Sequence, residues 1–184
     1  MKKSIIITGA SGGLGQALAF AFSKQGFSLG LIARRTKELE KTKELCLNYG
    51  AKNVFIESID ISDSTKQRNA LLSLINNLNG IDIFIANAGV SCIQKPSKDN
   101  GVYIRKAVEI NFLAAADGIE FIRTKMLEQN HGTIVGITSI AQAKGMPLNG
   151  TYCATKAALH IFLQGLRLDL ARTPIEVIEV APGF

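Results

Sequence analysis

The chain has 184 residues, 47% of them hydrophobic and 20% charged. That is long enough for a sizeable core and reads as one globular domain over 1–184. Its net charge of +6 comes from cations scattered among acidic residues, with no dense Lys/Arg block, which argues against nucleic acid as a partner. The apolar run near the start is cut by Thr8-Gly9 after Ile5-Ile6-Ile7, too short for a signal-peptide core. No apolar stretch has the length of a bilayer span. Cys46, Cys92 and Cys153 are odd in number and far apart. They carry neither metal nor disulfide spacing, a usage that fits the reducing cytoplasm.

Ser4 to Thr8 is a short β-branched run that ends in Gly9-Ala10-Ser11-Gly12-Gly13-Leu14-Gly15 and opens a helix. Phe27 to Ala33 reads as a second strand, and Thr36 as the cap of a charged helix to about Tyr49. Lys52 to Ile59 is a third strand, followed by a helix from about Ser62 to Leu78 that Asn79-Gly80 closes. Ile81 to Ala86 is an apolar fourth strand. Val102 to Gln129 reads as one long helix, ended by His131-Gly132, with Thr133 to Thr138 as the fifth strand. A Gly-, Pro- and Asn-containing loop leads to a helix from about Thr151 to Ala171, stopped by Pro174. Ile175 to Val180 is the sixth strand. Alternating strands and helices, with several strands apolar on both faces, predict an α/β fold: a doubly wound parallel sheet of six strands in three layers, α/β/α. Such sheets bind ligands beyond the carboxyl ends of their strands, so the residues just after each strand are the candidates.

Four glycines in the seven residues from Gly9 to Gly15 admit two readings. One is a tight strand–helix turn. The other is a nucleotide phosphate held close to the backbone at a helix N-terminus, and the position after the first strand favours it. No Gly-Lys-Ser/Thr follows, so the turn is not a P-loop. The second strand ends Ala33-Arg34-Arg35, with Lys37 beyond. An acidic residue there favours NAD and an arginine the 2′-phosphate of NADP. Cations at a helix N-terminus oppose its dipole, and a bound phosphate would reverse that penalty. A solvated charge run is the other reading. Tyr152 and Lys156 stand four apart, on one face of the Thr151–Ala171 helix.

Taken together, these stretches resemble the short-chain dehydrogenases/reductases, in their single-domain ketoreductase-like branch. Seven motifs occur in the family's order across essentially the whole chain: Thr8-Gly9-x-x-x-Gly13-x-Gly15, Asp60, Asn87-Ala88-Gly89, Asn111, Ser139, Tyr152-x-x-x-Lys156 and Pro182-Gly183. The glycines also fit Gly9-x-x-Gly12-x-x-Gly15 of the extended branch, while Arg34-Arg35, Asn87-Ala88-Gly89 and Asn111 point to the ketoreductase-like side.

The resemblance implies a Rossmann fold and NADP(H)-dependent interconversion of a carbonyl and an alcohol, with NAD(H) as the second choice of cofactor. It implies that Gly9, Ser11, Gly13, Leu14 and Gly15 hold the cofactor phosphates, and that Asp60 and the Ile61 backbone hold the adenine. Asn87, Ala88 and Gly89 would run beside the cofactor, with Pro182 and Gly183 also in contact with it. Tyr152 would be the proton donor, Ser139 would hold the carbonyl oxygen, and Lys156 would bond the nicotinamide ribose. Asn111 would bend its helix and hold a water of a proton relay. A phenol in water titrates near ~10, so it is protonated at neutral pH, and nearby positive charge favours its anion. No metal is implied. Cys153 and His160 lie outside the family pattern; they read as a small packing residue and a helix-surface or interface residue. The helices at 102–129 and 151–171, apolar around much of their circumference, predict a homodimer or homotetramer.

The pattern usually continues past Phe184 with a substrate loop, a helix and a seventh strand, and the sequence stops before them. The stretch from Ile140 to Asn149 and the region from Ser91 to Lys95 are expected to line the substrate pocket. Without the further elements, a non-catalytic nucleotide-binding or interaction protein is the alternative to an oxidoreductase.

Overall fold

A computed structural model describes residues 3–91, 93–95 and 97–183. Six strands, β1 (Ser4–Thr8), β2 (Ser28–Ala33), β3 (Asn53–Ser58), β4 (Ile83–Ala86), β5 (Gly132–Ile137) and β6 (Ile175–Val180), form one sheet in the order β3-β2-β1-β4-β5-β6. Every neighbouring pair is parallel. The chain starts at the centre, builds outward to β3, then returns to lay β4 against the other side of β1. That reversal opens a crevice between the carboxyl ends of β1 and β4.

Alternation along β1 divides the core. Ile6 joins Leu71, Leu74, Phe84, Ile119 and Leu163 on one face, while Ile5 and Ile7 join Ala19, Leu29, Leu31 and Leu39 on the other. The first face is covered by α3 (Ser64–Leu78), α5 (Ala114–Gln129) and α6 (Gly150–Asp169), with α4 (Gly101–Val108) packed on α6, and the second by α1 (Gly13–Ser23) and α2 (Thr36–Asn48). All residues of β1 are buried, as a central strand with both faces covered requires.

Three expectations need correction. The single helix from Val102 to Gln129 is α4, then a five-residue π segment at Glu109–Leu113, then α5. The extra residue per turn is centred on Asn111, whose buried amide needs room. Thr36 is not the cap of α2: it is already helical, Arg35 precedes it as N-cap, and the Thr36 hydroxyl lies 2.6 Å from the Ser58 hydroxyl. Nor does Pro174 stop α6, which ends at Asp169, five residues earlier. The other bounds lie within two residues of expectation, and Asn79 closes α3 at φ 54.

The height of α6 over β5 is set by Gly136. A Cβ there would sit 2.4 Å from Leu163 Cδ1. The missing side chain lets Leu163 seat on the strand, and earlier turns of α6 then reach the end of β5. Gly136→Val is expected to cost about 2 kcal/mol by overpacking. Adding Leu163→Ala should recover part of that loss, as read by urea denaturation of the two variants.

Candidate functional site

The crevice is stitched by Thr8 and Asn87. The Thr8 hydroxyl accepts the backbone N–H of Asn87 at 3.0 Å and of Ala88 at 3.1 Å. Asn87 Nδ2 donates back to the Thr8 carbonyl at 2.8 Å. This brings the two strand ends so close that Gly9 and Gly15 have no space for side chains. A Cβ on Gly9, which has φ +72, would meet Ala88 Cα at 2.8 Å, and one on Gly15 would meet Asn87 Nδ2 at 2.5 Å. Gly13, at φ +55, faces open space. The N-terminus of α1 has no side-chain cap. Its free N–H groups and positive dipole end border a cavity of about 440 Å³, which Gly9, Ser11, Gly13, Leu14 and Gly15 line from the turn.

Across that cavity stand Arg34, Arg35, Asp60 and Ile61. Arg34 Nη1 lies 3.6 Å from Asp60 Oδ2, a half-exposed pair. The other Asp60 oxygen accepts the Ser62 N–H at 3.1 Å and hydroxyl at 2.9 Å. Burial pushes the Asp60 carboxyl up, but the Ser62 bonds and the Arg34 guanidinium together outweigh it, and the group titrates below the ordinary aspartate value. Arg35 folds back onto the glycine turn. Its Nη2 donates to the Ser11 carbonyl at 2.9 Å and its Nε to the Ser11 hydroxyl at 3.3 Å. A Cβ on Gly12 would stand 2.8 Å from that Nη2.

A second cavity, of about 530 Å³, is lined by Ser139, Tyr152 and Lys156, with Pro182 and Gly183. Leu14, Asn87, Gly89 and Val90 line both cavities, so the two form one trough along the carboxyl edge of the sheet. The sequence-predicted pocket wall is there in part: Ser91, Ile93, Met146 and Asn149 border the second cavity. Cys92 lies outside the described residues.

Lys156 is 4% exposed, and its ammonium donates to the Ile137 carbonyl at 2.7 Å. Its Nζ stands 5.9 Å from the Tyr152 ring centroid. Burial pulls its pKa from 10.5 to about 8. An ammonium has three donors, and the other two have no protein partner among the described residues. The Ser139 hydroxyl accepts the Ala141 N–H at 3.2 Å, capping the short 3₁₀ turn Ile140–Ala143. Its own proton is therefore free to point elsewhere.

Asn111 alone among the predicted site residues lines neither cavity. It is fully buried behind them. Its Oδ1 accepts the Val90 N–H at 2.7 Å, and its Nδ2 donates to the Val90 carbonyl at 3.0 Å and the Thr155 hydroxyl at 3.1 Å. Both amide hydrogens are thus committed to the protein. Thr155 in turn donates to the Tyr152 carbonyl at 2.8 Å.

Sequence reasoning gave no role to Thr155, named Thr8 only within the glycine motif, and placed Gln94 only within the expected pocket wall. The Gln94 N–H donates to the Leu148 carbonyl at 2.7 Å, and its Oε1 accepts the Thr151 N–H at 3.3 Å, capping α6 from outside just before Tyr152. No motif signals such a long-range cap. His160 lies at the surface of α6 with its side chain 29% exposed, and it is paired there: its Nδ1 lies 2.9 Å from both Glu179 oxygens. Cys153 is buried, as a packing residue would be.

The family model described as short chain dehydrogenase matches residues 3–184. The chain is 36% identical over 181 residues to Dehydrogenase/reductase SDR family member 7 of Homo sapiens, an alignment that covers 96% of this chain and 53% of that protein. The chain thus spans about half the length of that relative. Among solved structures it resembles an alcohol dehydrogenase from the archaeon Thermococcus sibiricus complexed with 5-hydroxy-NADP. That match has a TM-score of 0.91 and 26% identity, covering 100% of this chain and 77% of the other. It also resembles an NAD+-bound xylitol dehydrogenase, with a TM-score of 0.93 and 26% identity over 99% of this chain and 70% of the other.

Two predictions follow from the geometry. Thr8→Val strands the N–H groups of Asn87 and Ala88 and should cost about 2 kcal/mol in urea denaturation, whereas Thr8→Ser keeps the acceptor and most of the stability. Lys156 titrates lower in the folded chain, near 8, than in the unfolded chain, near 10.5. Between those values the unfolded state binds more protons, so the contribution of Lys156 to stability rises with pH. Urea denaturation from pH 7 to 10 should show this rise, and Lys156→Met should remove it.

Proposed function

The chain belongs to the short chain dehydrogenase family, and from that membership we propose that it is an oxidoreductase interconverting a carbonyl and an alcohol with NADP(H). The observation that carries the reading is the nearly buried Lys156 ammonium, 5.9 Å from the Tyr152 ring and with two donors left over, in the same trough as Ser139. The residues fit a dinucleotide. The turn at Gly9 and Gly15 has no room for a Cβ, the α1 N-terminus is uncapped, and cations stand at the end of β2.

When bound, the nicotinamide supplies or accepts the hydride. The protein orients the substrate and moves the proton. Ser139, whose oxygen is occupied by the Ala141 N–H, keeps its proton and donates a hydrogen bond to the carbonyl oxygen as negative charge builds there. Tyr152 delivers its phenolic proton to the same oxygen. The Lys156 charge favours the phenolate left behind, and its spare N–H groups would hold the ribose hydroxyls of a bound cofactor. Asn111 acts from behind, fixing Val90 beside the trough and, through Thr155, the turn of α6 that carries Tyr152. With both amide hydrogens committed, a relay water at Asn111 would take an acceptor there, its backbone carbonyl or the second lone pair of Oδ1.

Arg34 and Arg35 favour the 2′-phosphate of NADP over the free hydroxyl of NAD. The exposed apolar side chains Leu113, Ile161 and Leu168 support a dimer or tetramer through the 102–129 and 151–171 helices. No helix of the described residues is long and apolar enough to cross a membrane. Cys46 and Cys153 are unpaired, which supports a cytoplasmic setting.

Carbonyl compounds assayed with NADPH provide the test. Tyr152→Phe should lower kcat by roughly 10³-fold or more with little change in cofactor affinity. Retention of full turnover in that variant would overturn the reading. NADPH should bind at least about ten-fold more tightly than NADH, and Arg34→Ala with Arg35→Ala should erase the difference.

A further inference from the structure

Glu179, near the end of β6, is a partly exposed charged residue, its side chain 14% exposed, that the proposed chemistry does not use. Its carboxylate gathers three elements. Oε1 accepts the Thr138 hydroxyl at 2.8 Å, and both oxygens lie 2.9 Å from His160 Nδ1. The Gln142 side chain stands beside it and helps to hold the carboxyl below its ordinary value. These partners surround the reaction end. Thr138 immediately precedes Ser139. Gln142 belongs to the 3₁₀ turn that Ser139 caps, and its buried Oε1 has no hydrogen-bond partner among the described residues. His160 lies one turn of α6 beyond Lys156, on the face that Leu163 and Gly136 hold against β5.

The backbone adds to the same join. The Thr138 N–H donates to the Val180 carbonyl at 2.9 Å, and the Ile140 N–H to the Pro182 carbonyl at 3.1 Å. Ser139 therefore sits between two backbone bonds to β6 and its extension, past the last paired residue of β5. Within the described residues β6 pairs with β5 alone and packs on α6 and, more lightly, on α5. A carboxylate on β6 that binds both β5 and α6 fixes the Ser139 segment relative to the helix of Tyr152 and Lys156.

We propose that Glu179, through Thr138 and His160, is a positioning residue that sets Ser139 in register with Tyr152 and Lys156. The inference rests on the oxidoreductase reading for its catalytic consequence and on the hydrogen bonds alone for its structural one. The bonds need acceptor oxygens at that place and do not need to contact substrate. Charge strengthens them, since hydrogen bonds to a carboxylate are the stronger kind.

The test uses the chain with and without NADPH. Glu179→Ala should lower kcat roughly 10- to 100-fold, the size expected of a small misplacement of a reacting group. Substrate KM and NADPH affinity should stay within about two-fold, because the defect lies in the transition state. Glu179→Gln keeps the shape and an acceptor oxygen and should recover most of kcat. Thr138→Val, a near-isosteric cut of the same bond, should reproduce the loss if Glu179→Ala fails to fold. The Ala141 amide, bonded to the Ser139 hydroxyl, gives a readout that needs no turnover. Its hydrogen exchange should quicken at least about ten-fold in Glu179→Ala, while amides of β1 and β2 stay unchanged. Unchanged kcat, Glu179→Gln as slow as Glu179→Ala, or unchanged Ala141 exchange would each overturn the proposal. A wild-type chain inert toward all carbonyls, with Ala141 exchange still sensitive to Glu179, would instead sink the oxidoreductase reading and keep the bracket.

Discussion

The site depends on one ammonium held inside the protein. Burying an unpaired charge costs several kcal/mol, and the protein answers Lys156 with a single carbonyl, that of Ile137. The depressed pKa is the trace of that shortfall. The backbone makes the arrangement possible at Gly136, which lets α6 settle onto β5, so that the lysine reaches the strand end. The under-coordinated charge is stable enough to persist and is ready to bond hydroxyls that enter the trough.

A second buried polar group is handled in the opposite way. Asn111 is fully enclosed, and three hydrogen bonds satisfy it almost completely. A regular α-helix would have kept one turn geometry through this point. The π segment at Glu109–Leu113 widens the turn instead, and the amide meets Val90 and Thr155. The widening costs helix regularity and removes the larger penalty of an unpaired amide, about 1–3 kcal/mol per lost partner. The result is a rod between the loop after β4 and the turn of α6 below Tyr152. Lys156 is left short of partners where a ligand can supply them, and Asn111 is saturated where rigidity is needed.

The strands and the crevice were legible because local chemistry writes them. Ile5-Ile6-Ile7 reads as a strand with both faces buried, and the close approach at Gly9 and Gly15 is recorded as missing side chains. Asn79 after Leu78 announces a left-handed cap that the structure has. What escaped are interactions between residues far apart in the chain. The bonds of Thr8 to Asn87, Gln94 to Thr151 and His160 to Glu179 join residues 79, 57 and 19 positions apart. Nothing in a propensity or a period marks His160 as paired. The surface reading missed the pairing because the partner lies on a strand still to come. The long helix was misread for a related reason: a π turn changes the backbone path without changing the apolar pattern around it.

The cations at the end of β2 were also legible as residues but not as contacts. Each arginine has a protein partner that a ligand can outcompete. Arg34 pairs with Asp60 at 3.6 Å in a half-exposed setting, where such pairs contribute roughly 0–1 kcal/mol. Arg35 bonds a neutral carbonyl and a hydroxyl of Ser11. A phosphate offers forked, charge-assisted bonds in place of these, and it meets two guanidinium groups already drawn to the rim of the cavity. The present contacts keep the side chains from spreading into solvent, so less conformational freedom remains to be lost on binding. For the proposed NADP, selectivity then comes from the weakness of what the arginines give up. A tight Arg34–Asp60 bridge would have opposed the phosphate and also tied up the carboxylate at the adenine end of the cavity. The loose pair leaves both groups available.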